Sequence, residues 1–452
     1  MNEISVRSCE ELRTHRGQRV SRVTLRENLT SVPQEILEYA PWVEFLDLSS
    51  NQLCDIPDWI GELANLKVLF LSNNRFTEVP RALRHCRALR MLGMRANQIE
   101  YLASDALPAS LVWLTLTDNY IQILPDNLGR FGGLQKLLLA GNQLSHLPES
   151  LRGSITLELL RISANTFEVL PDWLFELPAL AWLAIAGNPC SAVPRQVIHS
   201  AQTIPWGELV LMEELGRGAS GPTYRARHVP PAGDESIVAV KVFSSSISSD
   251  GDAHDEIAAA LRAGQHPHLV STKAALSDHP EGRVGLVLDL VPDGYKNLAA
   301  PPSFESVTRD VYQTDSRLTY NQALRYASGI AQAAAHLHRN GILHGDLYSH
   351  NTLVCGDSAI LGDFGAACLY AEATRLPSAL VERIELRAFG ILLSELVELV
   401  STDEEYSQIA PLRELARRCM ADPVSARPGF DEVVALLENR LHFYGLGQNS
   451  AM

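Results

Sequence analysis

Two carboxylates and an amide stand close together late in the chain: Asp346 and Asn351, five residues apart, and Asp363 twelve residues further on. Groups of these types can hold a divalent cation and place a hydroxyl for attack, the two demands of phosphoryl transfer. Upstream, Gly216, Gly218 and Gly221 fall within six residues. Glycine lets a turn bring backbone N–H groups close to phosphate oxygens. Lys241 lies in the apolar run Ile237-Val-Ala-Val-Lys241-Val-Phe243, and only three lysines follow residue 200. A lysine in a buried strand requires a charged partner.

The elements that must position these groups are legible. The β-branched run around Lys241 reads as a buried strand. Asp255-Glu256-Ile-Ala-Ala-Ala-Leu-Arg reads as a helix, followed by His266-Pro-His-Leu-Val270. Asp346 to Asn351 lie in Ile342-Leu-His344-Gly345-Asp346-Leu347-Tyr348-Ser349-His350-Asn351, and Asp363 opens Asp-Phe-Gly. An apolar helix follows from Ala388 to Val400.

Taken in order, these segments resemble the protein kinase family: the glycine-rich loop, the V-A-I-K strand, the catalytic loop with D-x-x-x-x-N, D-F-G, and a late D-P-x-x-R-P-x-F phrase here spread over Asp422 to Phe430 with one residue inserted. The resemblance covers about 205 to 443. It implies ATP and Mg²⁺ (or Mn²⁺) as cofactors. It implies that Lys241 pairs with a helix carboxylate, Glu256 or else Asp255, and that Asp346 accepts the proton of the attacking hydroxyl. Asn351 and Asp363 would hold the metal. Gly216, Gly218 and Gly221 would cover the phosphates, with Leu288 and Asp289 at the gatekeeper and hinge positions.

The departures from the family pattern are specific. His344-Gly345-Asp346 replaces H-R-D, removing the Arg that binds a phosphate on the activation segment. Tyr348 stands where a Lys follows the base, and His350 sits where tyrosine kinases carry Arg, so His350 is a candidate substitute charge. Only 22 residues separate Asp363 from Glu385, which replaces the usual Asp of the anchoring helix, and no A-P-E occurs. Activation-segment phosphorylation is therefore not expected, although Tyr370, Thr374 and Ser378 offer hydroxyls. H-G-D-L with its Asn also resembles small-molecule phosphotransferases, but those lack the glycine-rich loop and D-F-G.

The first half is a repeat. Asparagines at 28, 51, 74, 97, 119, 142, 165 and 188 are spaced by 22 or 23 residues and end one phrase, as in Leu134-Gln-Lys-Leu137-Leu-Leu139-Ala-Gly-Asn142. This resembles the leucine-rich repeat, eight copies over about 20 to 198, with residues 1 to 19 as a cap. Leucines at phrase positions 4 and 6 share one face of a strand, and stacked repeats build a continuous core. The Asn row is expected to form a hydrogen-bonded ladder. Positions 3 and 5 face the concave side and carry Phe45, Phe70, Met91, Trp113 and Trp182. Such a stripe reads as a protein-binding face, or as one covered intramolecularly.

Composition bounds the rest. The chain has 452 residues, 46% hydrophobic and 20% charged, enough for sizeable cores. Its net charge of −15 argues against nucleic acid and polybasic membrane contact. No run of about 18 apolar residues spans a membrane, the N-terminus has no signal peptide, and scattered cysteines fit a cytoplasmic protein. The expected fold is an α/β leucine-rich repeat solenoid followed by a bilobal α+β kinase fold. Its parts are repeats with caps (1–200), a connector (201–208), a kinase-like domain (209–443) and a tail (444–452). The expected function is an ATP-dependent protein serine/threonine kinase with a protein substrate and a protein ligand on the repeats. The alternatives are a nucleotide-binding pseudokinase scaffold or a small-molecule phosphotransferase.

Overall fold

A computed structural model describes residues 4–191, 202–218, 220–244, 251, 253–370, 376–400 and 406–449. By internal contacts the chain divides into two compact units, Met1–Ala179 and Leu180–Met452.

In the first unit, Val20–Thr24 is followed by the three-residue strands Phe45–Asp47, Val68–Phe70, Met91–Gly93, Trp113–Thr115, Lys136–Leu138 and Leu159–Arg161. Each pairs in parallel with the next, so Phe45, Val68, Met91, Trp113, Lys136 and Leu159 stand in one row. The central leucines 46, 69, 92, 114, 137 and 160 are fully buried, each worth roughly 2 kcal/mol of apolar transfer. At the N-terminal end, Ile4–Val6 adds a further parallel strand. The helix Cys9–Thr14 follows, capped by Ser8 Oγ, which accepts from Glu11 N–H at 3.1 Å.

Six of these strands, from Phe45–Asp47 to Leu159–Arg161, exit through the same joint. Asn97 Nδ2 donates to Met94 O at 3.1 Å in its own repeat and to Leu71 O at 3.1 Å in the repeat before; its Oδ1 accepts from Phe76 N–H at 3.2 Å. Asn51, Asn74, Asn119, Asn142 and Asn165 repeat the pattern. The residue before the Asn takes left-handed backbone at Ser50, Asn73, Ala96, Asp118, Gly141 and Ala164. That turn aims the amide inward, and its three bonds offset the cost of positive φ on residues with a Cβ. Prolines 33, 57, 80, 148 and 171, extended in backbone, then start short 3₁₀ turns on the convex side.

The concave row is less purely apolar than its letters suggest. Phe45, Phe70 and Trp113 are half-buried. The Arg22 guanidinium sits 3.6 Å over Phe45, Phe70 meets Phe45 edge-on at 5.7 Å, and the Lys136 ammonium lies 3.8 Å over Trp113. Such cations gain from the ring face. Met91 departs from the expected exposed ridge: it is only 3% exposed, flanked in register by Val68 and Trp113.

The second unit begins with Leu180, so the strand Trp182–Ala184 of the last repeat phrase belongs to it. A six-stranded sheet follows, ordered Thr203–Pro205, Thr272–Ser277, Gly285–Asp289, Ser236–Val242, Pro222–His228, Leu209–Arg217. Val238, Val240, Val242, Ala274 and Val287 fill one side of it. The larger lobe is built on the helices Tyr320–Arg339, Ser378–Glu398, Tyr406–Cys419 and Phe430–Asn449. The first opens with a capping box, Thr319 with Gln322, which satisfies end groups reciprocally. No helix among the described residues is long and apolar enough to cross a membrane.

Candidate active site

The cavity between these lobes, about 370 Å³, is lined by Gly216, Gly218, Gly221, Lys241, Glu256, Leu288, His350, Asn351 and Asp363 among others. The glycine-rich turn joins Leu209–Arg217 to Pro222–His228. A Cβ on Gly216 or Gly218 would enter open space, whereas one on Gly221 would lie 2.1 Å from Val242 O. Gly221, at φ +149°, is therefore required by packing, while its two neighbours keep the roof of the cavity bare.

Lys241 Nζ lies 2.6 Å from Glu256 Oε1 and 3.3 Å from Asp363 Oδ1. Glu256, on the helix Ala253–Ala263, is 3% exposed, so the buried lysine has the partner its strand demands. Asp255 points elsewhere and accepts from Gly187 N–H. Burial works against the charge of Lys241, but Asp363 and Glu256 outweigh it and hold the ammonium above its usual range. Asp363 feels the converse: its partial desolvation in the cavity opposes its charge although half of the side chain is exposed, and Lys241 with the Gly365 N–H keeps the carboxyl below its usual value.

In the catalytic loop, Asn351 Nδ2 donates to Asp346 Oδ2 at 2.8 Å and to Asp346 O at 2.9 Å. This leaves the amide carbonyl as the acceptor that faces other ligands. Fully buried His344 accepts from Asp346 N–H at Nδ1 (3.3 Å) and donates from Nε2 to Gly362 O (3.0 Å), a neutral tautomer assigned by its two partners. Glu385 closes the loop from below, accepting from Gly345 N–H at 2.7 Å, His344 N–H at 3.3 Å and His338 Nε2 at 2.7 Å. Burial opposes its ionisation, and the His338 bond and the loop N–H groups prevail, so its pKa is lowered.

The missing arginine has a steric cause. Gly345 has φ +73°, and a Cβ there would lie 2.7 Å from Leu183 O and 2.8 Å from Ala366 O. No side chain fits. Tyr348 is also enclosed, stacked on Trp182 at 4.2 Å with the rings 4° from parallel. Trp182 is 1% exposed, so it offers no open binding surface, unlike its expected role. Asp289 does not line the cavity; its carboxylate pairs with Lys273 Nζ at 2.8 Å. Thr374 lies outside the described residues, Tyr370 is buried against His338 at 2.9 Å, and Ser378 begins a helix.

Several residues that no motif marks complete the site. Asp310 holds His350 twice, accepting from its N–H at 2.9 Å and bonding Nδ1 at 2.7 Å. Burial disfavours charge on His350, but Asp310 outweighs it and raises the imidazole above its usual value. Tyr312 O–H donates to Glu395 Oε2 at 2.8 Å and its oxygen lies 2.6 Å from Ser349 Oγ. Asp310 and Tyr312 precede the loop by about forty residues, and no spacing rule links them to it; His338, a third, carries only a helical-face signal.

A family model for the protein kinase domain matches residues 209–388, and one for the leucine-rich repeat matches 41–99. The chain is similar to the serine/threonine-protein kinase mos of Xenopus laevis, 30% identical over 36% of this chain and 43% of that one. It is 26% identical to the serine/threonine/tyrosine-protein kinase HT1 of Arabidopsis thaliana over 38% of this chain and 57% of that one. The chain thus spans about half the length of these relatives. A solved leucine-rich repeat protein of Leptospira interrogans aligns at 25% identity and TM-score 0.34, covering 42% of this chain and 54% of that one. The chain carries a leucine-rich repeat region followed by a protein kinase domain.

Proposed function

We propose that the second unit is an ATP-dependent protein serine/threonine kinase and that the repeat array engages a protein on its concave face. The observation that carries this reading is that Lys241, Glu256, Asp363 and Asn351 line one cavity already paired for their roles, with Asp346 bonded to Asn351 beside it. Mg²⁺ takes few protein oxygens and completes its shell from phosphates and water; the Asn351 carbonyl and the Asp363 carboxylate form such a pair of donors. When bound, the metal offsets charge on the phosphate oxygens. Lys241, fixed by Glu256, binds phosphate oxygen from the small lobe. The bare edges of Gly216 and Gly218 admit the phosphates beneath backbone N–H groups. Asp346, oriented by Asn351, accepts the proton of the acceptor hydroxyl at a carboxylate oxygen. His350, held by Asp310, lines the same cavity.

Tyr348, in place of a phosphate-binding lysine and covered by Trp182, supports a second reading: a scaffold that binds nucleotide without turnover. Incubation with γ-labelled ATP, Mg²⁺ and casein separates the two. The kinase reading expects label on protein, lost by about 10²–10⁴-fold in Asp346→Asn while nucleotide binding persists. No label with wild type on any protein acceptor would leave the scaffold reading standing.

A further inference from the structure

One short run of the second unit touches both elements that must be set for phosphoryl transfer. Trp182 lies flat on Tyr348 and its Nε1–H donates to Leu347 O at 3.0 Å, so it grips the catalytic loop immediately after Asp346. Leu183 O presses on Gly345 immediately before Asp346. Gly187 N–H then donates to Asp255 Oδ2, next to Glu256 on the helix whose carboxylate fixes Lys241.

We infer that residues 182–187 are a positioning element for the reaction: they hold the catalytic loop and the Glu256 helix together in the productive arrangement, doing by packing what a phosphate bound to an arginine would otherwise do. This rests on the kinase reading. The physical case is that the two roles exclude each other at one position. The backbone of Gly345 is left-handed and sandwiched between Leu183 O and Ala366 O, so an arginine there would expel the strand. With glycine the strand closes onto the loop. The indole supplies a stacked face and one hydrogen bond to a main-chain carbonyl, fixing the loop in both distance and register. Trp182 and Asp255 are thus positioning residues; neither touches the cavity.

The test uses the full chain with Trp182→Ala, Trp182→Phe and Asp255→Ala, measured for kcat, for KM of ATP, and for amide hydrogen exchange over residues 344–351. Trp182→Ala should lower kcat tenfold or more with KM for ATP changed less than twofold, and should speed exchange in the loop at least tenfold. Trp182→Phe, which keeps a stacked ring and loses the N–H, should recover most of kcat. Asp255→Ala should lower kcat with a smaller change in loop exchange. Unchanged exchange in Trp182→Ala, or a higher kcat in it, would overturn the inference, the second outcome showing that the contact restrains the enzyme. If wild type transfers no phosphate, the kinase reading fails and the exchange comparison alone decides this one. If Trp182→Ala does not fold, Trp182→Leu, which keeps apolar bulk but loses both the stacked ring and the N–H, decides: kcat and loop exchange equal to those of wild type would overturn the inference.

Discussion

Burial pushes the Glu395 carboxyl from 4.5 up to about 7; the Tyr312 hydroxyl bond offsets part of this and Asp310 adds to it. An acid with a raised folded pKa keeps a proton that the unfolded chain has released. Its stabilising effect is therefore fully present below about 4.5, falls as pH climbs to about 7, and levels off above that. Melting temperature measured against pH should show this decline in wild type and a flatter profile in Glu395→Gln. At this scale the sequence was informative where a residue type was out of place. Lys241 in an apolar strand demanded a carboxylate, and Glu256 supplies it at 2.6 Å. It was silent on Asp310 and His338, because a polar residue that braces another carries no spacing of its own. Trp182 misled because a concave position in one strand looks like any other until its neighbour across the chain is known.

At the scale of elements, the ladder joint and the activation segment each make a prediction. Asn97→Ala would orphan the buried Phe76 N–H, while Leu71 O and Met94 O would each lose one of two amide bonds and keep the one from Asn74 or Asn119. An unsatisfied buried group costs on the order of 1–3 kcal/mol, so a loss of about 2 kcal/mol is expected in urea unfolding of the full chain. Phosphatase-treated protein should begin phosphoryl transfer at full rate, since no side chain fits at Gly345 to bind an activating phosphate. A lag that disappears after autophosphorylation would contradict this. The repeating elements were legible from their period, including the inward leucines and the ladder, because both follow from strand alternation. The burial of Met91 was not, since it depends on the sizes of the residues one repeat to either side.

For the whole molecule, the proposed kinase reading makes nucleotide a stabiliser by mass action. A ligand at 100 times its Kd adds about 2.7 kcal/mol to the folded state that binds it. ATP with Mg²⁺ should therefore raise the melting temperature of the kinase transition, and Asp363→Asn should reduce the part of that rise that depends on Mg²⁺. The division into a repeat array and a kinase fold was visible in the change of pattern after Asn188, although the strand just before that asparagine keeps company with Leu180–Met452. The asparagine joints carry one more consequence, about how such a chain can change length over generations. Asn97 and Asn119 are 22 residues apart where their neighbours are 23 apart, yet Met91 still pairs with Trp113 and Asn119 still reaches Met94 O at 3.0 Å. The missing residue was absorbed between Tyr101 and Leu111, where no 3₁₀ helix forms. Duplication or loss of a whole unit preserves every joint, and small insertions survive on the convex side. A single residue added between a strand and its asparagine would flip the leucines outward, so drift in length should be found everywhere except there.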